Sequence, residues 1–240
     1  MGAIAIVQAR VGSTRFRNKI MEKVYGEQTV LETVLKRMAM PNPSTKNVDR
    51  IVLAIPDTME NDVLENYGRK LGYRVSRGSE NDVLKRFTYA ALGEGCDTIV
   101  RVTSDCPLVD PAIISDMMAM FVSGNFDYVG NTIPGFDFPY PDGFDVEIMS
   151  LRTLCHAYHN AKSKYDREHV TSYIYSNPEM FKCGMYPEDF GYKTDIRLSI
   201  NIPEDLNRIR YIFNNLGDSC SYTEIMKFVR SNDEEIRTIK

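Results

Sequence analysis

Short apolar runs alternate with amphipathic segments through the first half of the chain, and this alternation constrains the fold more than any other feature. Ala3–Ala9 reads as a continuous apolar strand, followed by Arg50–Ile55, Tyr73–Ser76, Thr98–Val102 and Asp127–Gly130. Helical patterns fill the intervals. Thr29 with Glu32 forms a capping box before Val30–Met40, and Pro41-Asn42-Pro43 stops that helix. Glu60–Leu71 carries Val63, Leu64, Tyr67 and Leu71 on one face and meets a stop at Gly72. Ser79 with Asp82 opens a helix that runs to Gly93, and Asp110-Pro111 opens the next. Strands separated by helices of about 10–15 residues imply βαβ units. The expected fold class is therefore α/β, with a mostly parallel (mixed) sheet flanked by helices on both faces.

The texture changes near Asn131. Residues 131–148 are rich in proline, glycine and aromatic residues, which reads as a loop or hairpin insertion. Helices are expected over 151–161 and 166–175, and strands over 181–186 and 196–200. Asn201 caps a helix over Pro203–Leu216, Ser221 with Glu224 caps another over 225–229, and the polar last residues fray. One domain over 1–240, with an acceptor or dimerisation lobe inserted at 131–190, accounts for this order.

Composition removes several function classes. With 29 Lys+Arg and 33 Asp+Glu the formal net charge is −4, which exerts no long-range pull on nucleic acid or an anionic membrane. The longest apolar runs, Ala3–Val7 and Ile51–Ile55, fall far short of a bilayer span. The N-terminus lacks the basic and apolar regions of a signal peptide, so a cytoplasmic protein is expected. Five cysteines at no C-x-x-C spacing read as reduced thiols. His156 and His159 lie at helical spacing and read as one core and one surface histidine rather than metal ligands.

Ligands of open parallel sheets bind beyond the carboxyl ends of the strands. After the first strand comes Gln8-Ala9-Arg10-Val11-Gly12-Ser13-Thr14-Arg15-Phe16-Arg17-Asn18-Lys19. One glycine, two hydroxyls and four cations in this loop suit a polyphosphate: glycine lets the backbone approach, and the cations neutralise the oxygens. The loop is neither a P-loop nor a dinucleotide fingerprint. After the fourth strand comes Arg101-Val102-Thr103-Ser104-Asp105-Cys106-Pro107-Leu108, where Asp105 is placed to hold Mg²⁺ between phosphates or to cap a turn. After the third, Arg77-Gly78-Ser79-Glu80-Asn81-Asp82 reads equally as a base-contacting loop and as a helix cap.

These segments, with Gly143-Phe144-Asp145-Val146-Glu147, Arg167-Glu168-His169-Val170 and Pro203-Glu204-Asp205-Leu206, follow the order of one family. The chain resembles the cytidylyltransferases, and more narrowly their spore-coat-polysaccharide-biosynthesis branch. That branch is related to the enzymes that make CMP-activated sialic-type and 3-deoxy-octulosonic sugars. The resemblance implies a nucleotide-diphospho-sugar-transferase-like (Rossmann-like) fold and attack of an acceptor oxygen on the α-phosphorus of CTP, with Mg²⁺ as cofactor. It implies a catalytic set of Arg10, Arg15 and Lys19. It implies nucleotide contacts from Ala9, Gly12, Ser13, Arg77, Ser79, Asp82 and Thr103, and metal contacts from Asp105 and Asn201. Asp145, Glu147 and His169 would face a small acidic carbohydrate acceptor or a partner in a homodimer.

The chain departs from the family pattern at three places. Phe16-Arg17-Asn18 replaces Leu-Pro-Gly before the lysine, Ser104 replaces a glycine, and Asn201 stands where relatives carry a metal-binding aspartate. The last change predicts altered metal affinity. Alternative readings are transfer to a sugar or alditol phosphate or a phosphonate, a catalytically inactive nucleotide-binding relative, and a glycosyltransferase. The last usually carries an Asp-x-Asp motif, but Asp105 is followed by Cys106-Pro107. Tyr140 and Phe144 suit a dimer interface as well as a substrate wall.

Overall fold

A computed structural model describes residues 2–40, 48–134, 140–186 and 194–240. The first half follows the alternation. Strand β1 (Ala3–Gln8) is followed by a small hairpin, β2 (Lys23–Tyr25) and β3 (Gln28–Thr29), and by helix α1 (Val30–Ala39). Then come β4 (Arg50–Pro56), α2 (Asp62–Lys70), β5 (Arg74–Gly78), α3 (Val83–Leu92), β6 (Thr98–Thr103), α4 (Pro111–Ser123) and β7 (Tyr128–Gly130). The second half supplies β8 (Glu147–Ser150), α5 (Leu151–Asn160), α6 (Lys164–His169), α7 (Ser172–Tyr175), β9 (Cys183–Met185), α8 (Pro203–Leu216), α9 (Tyr222–Ser231) and α10 (Asp233–Thr238).

Seven strands form one sheet in the order β5-β4-β1-β6-β8-β7-β9. β1 pairs in parallel with β4 and with β6, and β4 in parallel with β5. β8 runs antiparallel to both β6 and β7, and β9 returns parallel to β7. β1 lies inside the sheet, so both its faces are buried. Ile4 and Ile6 enter the core under α3 and α5, while Ala5 and Val7 enter the core under α1, α4, α8 and α9. All four are fully buried, which explains a strand without polar alternation.

Several local expectations are corrected. Residues 147 and 148, expected at the end of the loop or hairpin insertion, form β8 together with Met149 and Ser150, between β6 and β7, with Arg101 opposite Glu147. Ile196–Ile200 forms no strand; Leu198 N–H donates to Asp142 and Ile200 N–H to Asp105. The expected helix over 166–175 breaks at Val170, whose φ is +62°. Thr171 N–H donates to the His169 carbonyl across that residue, a γ-turn that a β-branched side chain adopts only under strain. α3 is capped by Asp82 rather than entered at Ser79. α8 is capped at Ile202, with the Asp205 carboxylate reaching back to the N–H of Asn201 and Ile202 at 2.9 and 3.1 Å. The C-terminal residues form α10, anchored by the fully buried Ile236. Tyr140 and Phe144 belong to the chain's own core, packed on Tyr222; Phe136 and Phe138 lie outside the described residues.

Candidate active site

A cavity of about 320 Å³ opens beyond the carboxyl ends of β1 and β6. Ala9, Arg10, Ser13, Thr14, Arg15 and Lys19 line it from the loop after β1. That loop is tied down by backbone: Ala9 N–H donates to Ala54, and the N–H groups of Ser13 and Asn18 both donate to Val11. Val11 N–H in turn donates to Oδ1 of the fully buried Asn61, 3.1 Å away. Asn18 takes the left-handed conformation, φ +58°, where the family pattern has glycine; asparagine tolerates it better than most residues. Gly12 lies behind the loop, and a Cβ there would come within 2.8 Å of Glu60 Oε1.

Lys19 connects the two sides of the cavity. Only 8% exposed, it donates to Asp105 Oδ2 at 2.7 Å and to the Ile200 carbonyl at 2.5 Å. Arg15 makes a parallel connection by donating to Asn201 Oδ1 at 2.7 Å. Asp105 follows β6, and its carbonyl accepts from Ile200 N–H, which brings the segment before α8 against this aspartate. Thr103, Ser104, Glu168 and His169 complete the rim, with His169 packed on Tyr165 at 4.2 Å between ring centroids.

The remaining predicted residues lie elsewhere. Arg77 does not line the cavity; it is held outside by Asp57, Asp62 and Glu65, of which Glu65 and then Asp62 raise its pKa. Ser79 Oγ accepts from Asp82 N–H, and Asp82 caps α3 while binding Arg167 with both oxygens. Asp145 does not line the cavity and accepts from Thr132, Gly143 N–H and the Cys106 thiol. Burial pushes its pKa up, and burial with Asp145 and Asp105 pushes the Cys106 thiol up. Glu147 does not line the cavity either. It accepts from Arg101, Tyr128 and Thr171, and Arg101 also donates to Gln8 Oε1 at 3.0 and 3.2 Å. Burial lowers the Arg101 pKa, but Glu147 outweighs it and the net shift is upward.

Sequence reasoning missed Gln8, Arg86 and Arg101 as cavity-lining residues. A legible signal existed for two of them: Arg86 interrupts the apolar face of α3 beside Val83 and Phe87, and Arg101 interrupts an otherwise apolar strand. Charged residues at core positions call for a partner or a ligand.

Magnesium fits this donor set in one way. Among the described residues no group of three His, Cys, Asp or Glu side chains could enclose a metal ion. Asp105 offers one partly exposed carboxylate, and Asn201 a neutral amide oxygen. Mg²⁺ commonly takes one or two carboxylates and completes its shell with phosphate oxygens and water, so the pair suits an ion that arrives with a nucleotide.

Comparison with known proteins identifies the family and the fold. The chain is 30% identical over 238 residues to the spore coat polysaccharide biosynthesis protein SpsF of Bacillus subtilis, covering 95% of this chain and 94% of that one. A solved cytidylyltransferase from Leptospira borgpetersenii superposes with a TM-score of 0.90 at 30% identity, covering 100% of this chain and 98% of that one. In fold alone, the chain also matches a CMP:2-keto-3-deoxy-manno-octonic acid synthetase complexed with CTP, with a TM-score of 0.64 at 11% identity, covering 90% and 99%. The family description that fits the sequence, cytidylyltransferase, matches residues 4–236, nearly the whole of the cavity-bearing fold. The chain belongs to the cytidylyltransferase family.

Proposed function

We propose that this cytidylyltransferase transfers CMP from CTP to an acidic sugar of the 2-keto acid type and releases pyrophosphate, in the cytoplasm and in the service of surface polysaccharide synthesis. The observation that carries the reading is the Lys19 bridge: one buried ammonium joins the phosphate-type loop to Asp105 at the cavity floor. The acceptor oxygen attacks the α-phosphorus, the bond to the β-phosphate bridging oxygen breaks, and pyrophosphate leaves with that electron pair. Such a reaction asks the protein for alignment and charge stabilisation rather than covalent chemistry. Arg10, Arg15 and Lys19 hold the triphosphate, and the backbone of Ala9 and the Ser13 hydroxyl fix its register. Asp105, with Asn201 as a neutral second donor, would hold Mg²⁺, which supplies Lewis-acid charge on the phosphates. His169 at the rim contacts the acceptor, while Glu147 acts on that side of the cavity through Arg101. The relatives, a spore coat polysaccharide biosynthesis protein and, by likeness of fold, a CMP:2-keto-3-deoxy-manno-octonic acid synthetase, support the acceptor class. We extend the reading to a homodimer, which light scattering tests.

Thermal melting with CTP, UTP, ATP and GTP, each with and without Mg²⁺, tests the nucleotide. Ligand at about a hundred times its dissociation constant adds about 2.7 kcal/mol. That should raise the midpoint by roughly 5–10 °C at this chain length. Stabilisation by CTP alone, strengthened by Mg²⁺, is expected, followed by pyrophosphate release with a sugar acid. Equal stabilisation by all four nucleotides would overturn the assignment.

A further inference from the structure

Among the described residues, Arg37 and Arg101, the two arginines set deepest apart from Arg86, have committed partners. Arg37, 1% exposed, donates to the carbonyls of Leu108, Val109, Asp218 and Cys220. Arg101 meets the Glu147 carboxylate and Gln8. Arg86, 3% exposed on α3, has neither kind of arrangement. Its Nη1 donates to the carbonyls of Ser79 and Glu80, and its buried Nε has no hydrogen-bond partner. Among the described residues no carboxylate forms an ion pair with it. Asp82, one of the two acids near it, is committed to Arg167; Glu80, the other, acts only at longer range.

The position is built rather than incidental. Gly78 ends β5 so close to α3 that a Cβ there would meet the Arg86 side chain at 3.0 and 3.1 Å and its Cα at 3.2 Å. The glycine therefore lets the strand press the arginine stem into the cavity wall. Arg10 lies on the same wall, and burial first, then Arg10, pull the Arg86 pKa down to about 10. A desolvated cation with an open donor, facing a second cation, is unfavourable until an anion reaches it.

We infer that Arg86 and Arg10 form a two-guanidinium anion subsite in the cavity wall, filled by a phosphate oxygen of the bound nucleotide. The inference rests on the nucleotide reading above and adds a binding residue to it. A neutral base edge would accept the hydrogen bond but leave the repulsion between the two cations in place. A phosphate oxygen accepts the hydrogen bond and offsets the repulsion. The acceptor's carboxylate offers similar chemistry, so the test separates the sources.

Dissociation constants of cytidine, CMP, CDP and CTP are measured for the unaltered protein, Arg86→Met and Arg86→Lys. Arg86→Met is expected to weaken CTP by roughly 10–100-fold, the loss of a charge-assisted contact, with cytidine unchanged. The first ligand of the series to show the loss identifies the phosphate concerned. Arg86→Lys is expected to recover part of it, and the ligand-free Arg86→Met protein is expected to melt no lower than the unaltered one. If the methionine variant does not fold, Arg86→Lys decides, with a several-fold loss on phosphate-bearing ligands only. Equal losses on cytidine and CTP would mean a base contact or a pinned turn and would overturn the inference. Unchanged affinity for all four ligands would also overturn it and leave the acceptor carboxylate as the anion. Failure of the unaltered protein to bind CTP would instead sink the nucleotide reading, and the inference with it.

Discussion

Lys19 shows how a single residue links folding to chemistry. Its stem is buried, its ammonium is divided between Asp105 and the Ile200 carbonyl, and the loop carrying it ends in the left-handed Asn18. The ion pair holds the two sides of the cavity together, and under the function proposed above a triphosphate would find the cation already in place. Lys19→Met is expected to lower kcat/KM at least about 100-fold in a pyrophosphate-release assay, the scale of losing one electrostatic contact to the reacting phosphates. A loss below tenfold would remove Lys19 from the proposed machinery. Glu32 offers a test of a different kind. Burial alone would raise its pKa, but hydrogen bonds from Tyr67 and Lys36 prevail and hold it below the ordinary 4.5. A carboxylate with a lowered folded-state pKa stabilises the fold above its unfolded value, and that contribution disappears as pH falls through the folded value. Glu32→Gln is therefore expected to cost about 1–2 kcal/mol at pH 7. The gap between the two melting curves should close on acidification below pH 4.5. A gap that is constant with pH would show that the charge of Glu32 contributes nothing.

At the scale of elements, the start of α8 is the point where structure and site meet. The Asp205 carboxylate, 1% exposed, accepts from the N–H groups of Asn201 and Ile202 and from Arg208, so it caps the helix and fixes Asn201 beside Arg15 at once. Asp205→Ala is expected to cost about 1–2 kcal/mol as a lost cap. It should also weaken CTP binding several-fold through the displaced Asn201, whereas Ser221→Ala, a cap of α9 remote from the cavity, should cost similar stability and leave CTP affinity unchanged. Paired melting and binding curves separate the two. The sequence made α8 legible but assigned its cap to Asn201, because an aspartate inside the first turn that reaches backward looks like any acidic first-turn residue. The βαβ half was readable because each strand is an apolar block and each helix has a face. β8 was not, because Glu147–Ser150 is four residues long and takes its register from β6 and β7 rather than from its own pattern. The break at Val170 has no glycine or proline to announce it. In the site, the loop after β1 and Asp105 were legible through their cations and their place after strands. Arg77 appeared to belong with them, yet Asp57, Asp62 and Glu65 take it, and no local pattern reveals partners 12 to 20 positions back along the chain.

Across the whole molecule, the two halves of the chain are fastened by Arg37 of α1. Its guanidinium reaches the loop after β6 at Leu108 and Val109 and the link between α8 and α9 at Asp218 and Cys220, as far as 183 residues away. Burial lowers its pKa, against the pull of nearby acidic groups and the Cys220 thiol. A cation this deep is costly in itself, so its value lies in the four carbonyls it satisfies at once. The same loop after β6 carries Asp105, which makes the clamp a support for the cavity wall as well as for the fold. Arg37→Leu fills much of the volume and removes the buried charge, but strands all four acceptors, and each unsatisfied buried group costs about 1–3 kcal/mol. With relief of the buried charge set against that, a net loss of about 3–5 kcal/mol is expected. For a chain of this length it lowers the melting midpoint by roughly 6–20 °C. Hydrogen exchange adds a spatial readout. In Arg37→Leu the amides of α9 and α10 should lose protection before those of β1 and β4, since the clamp holds the C-terminal helices to the sheet and the central strands hold each other. Uniform loss of protection would mean that Arg37 stabilises the molecule as one unit and does not act as the fastening between its halves.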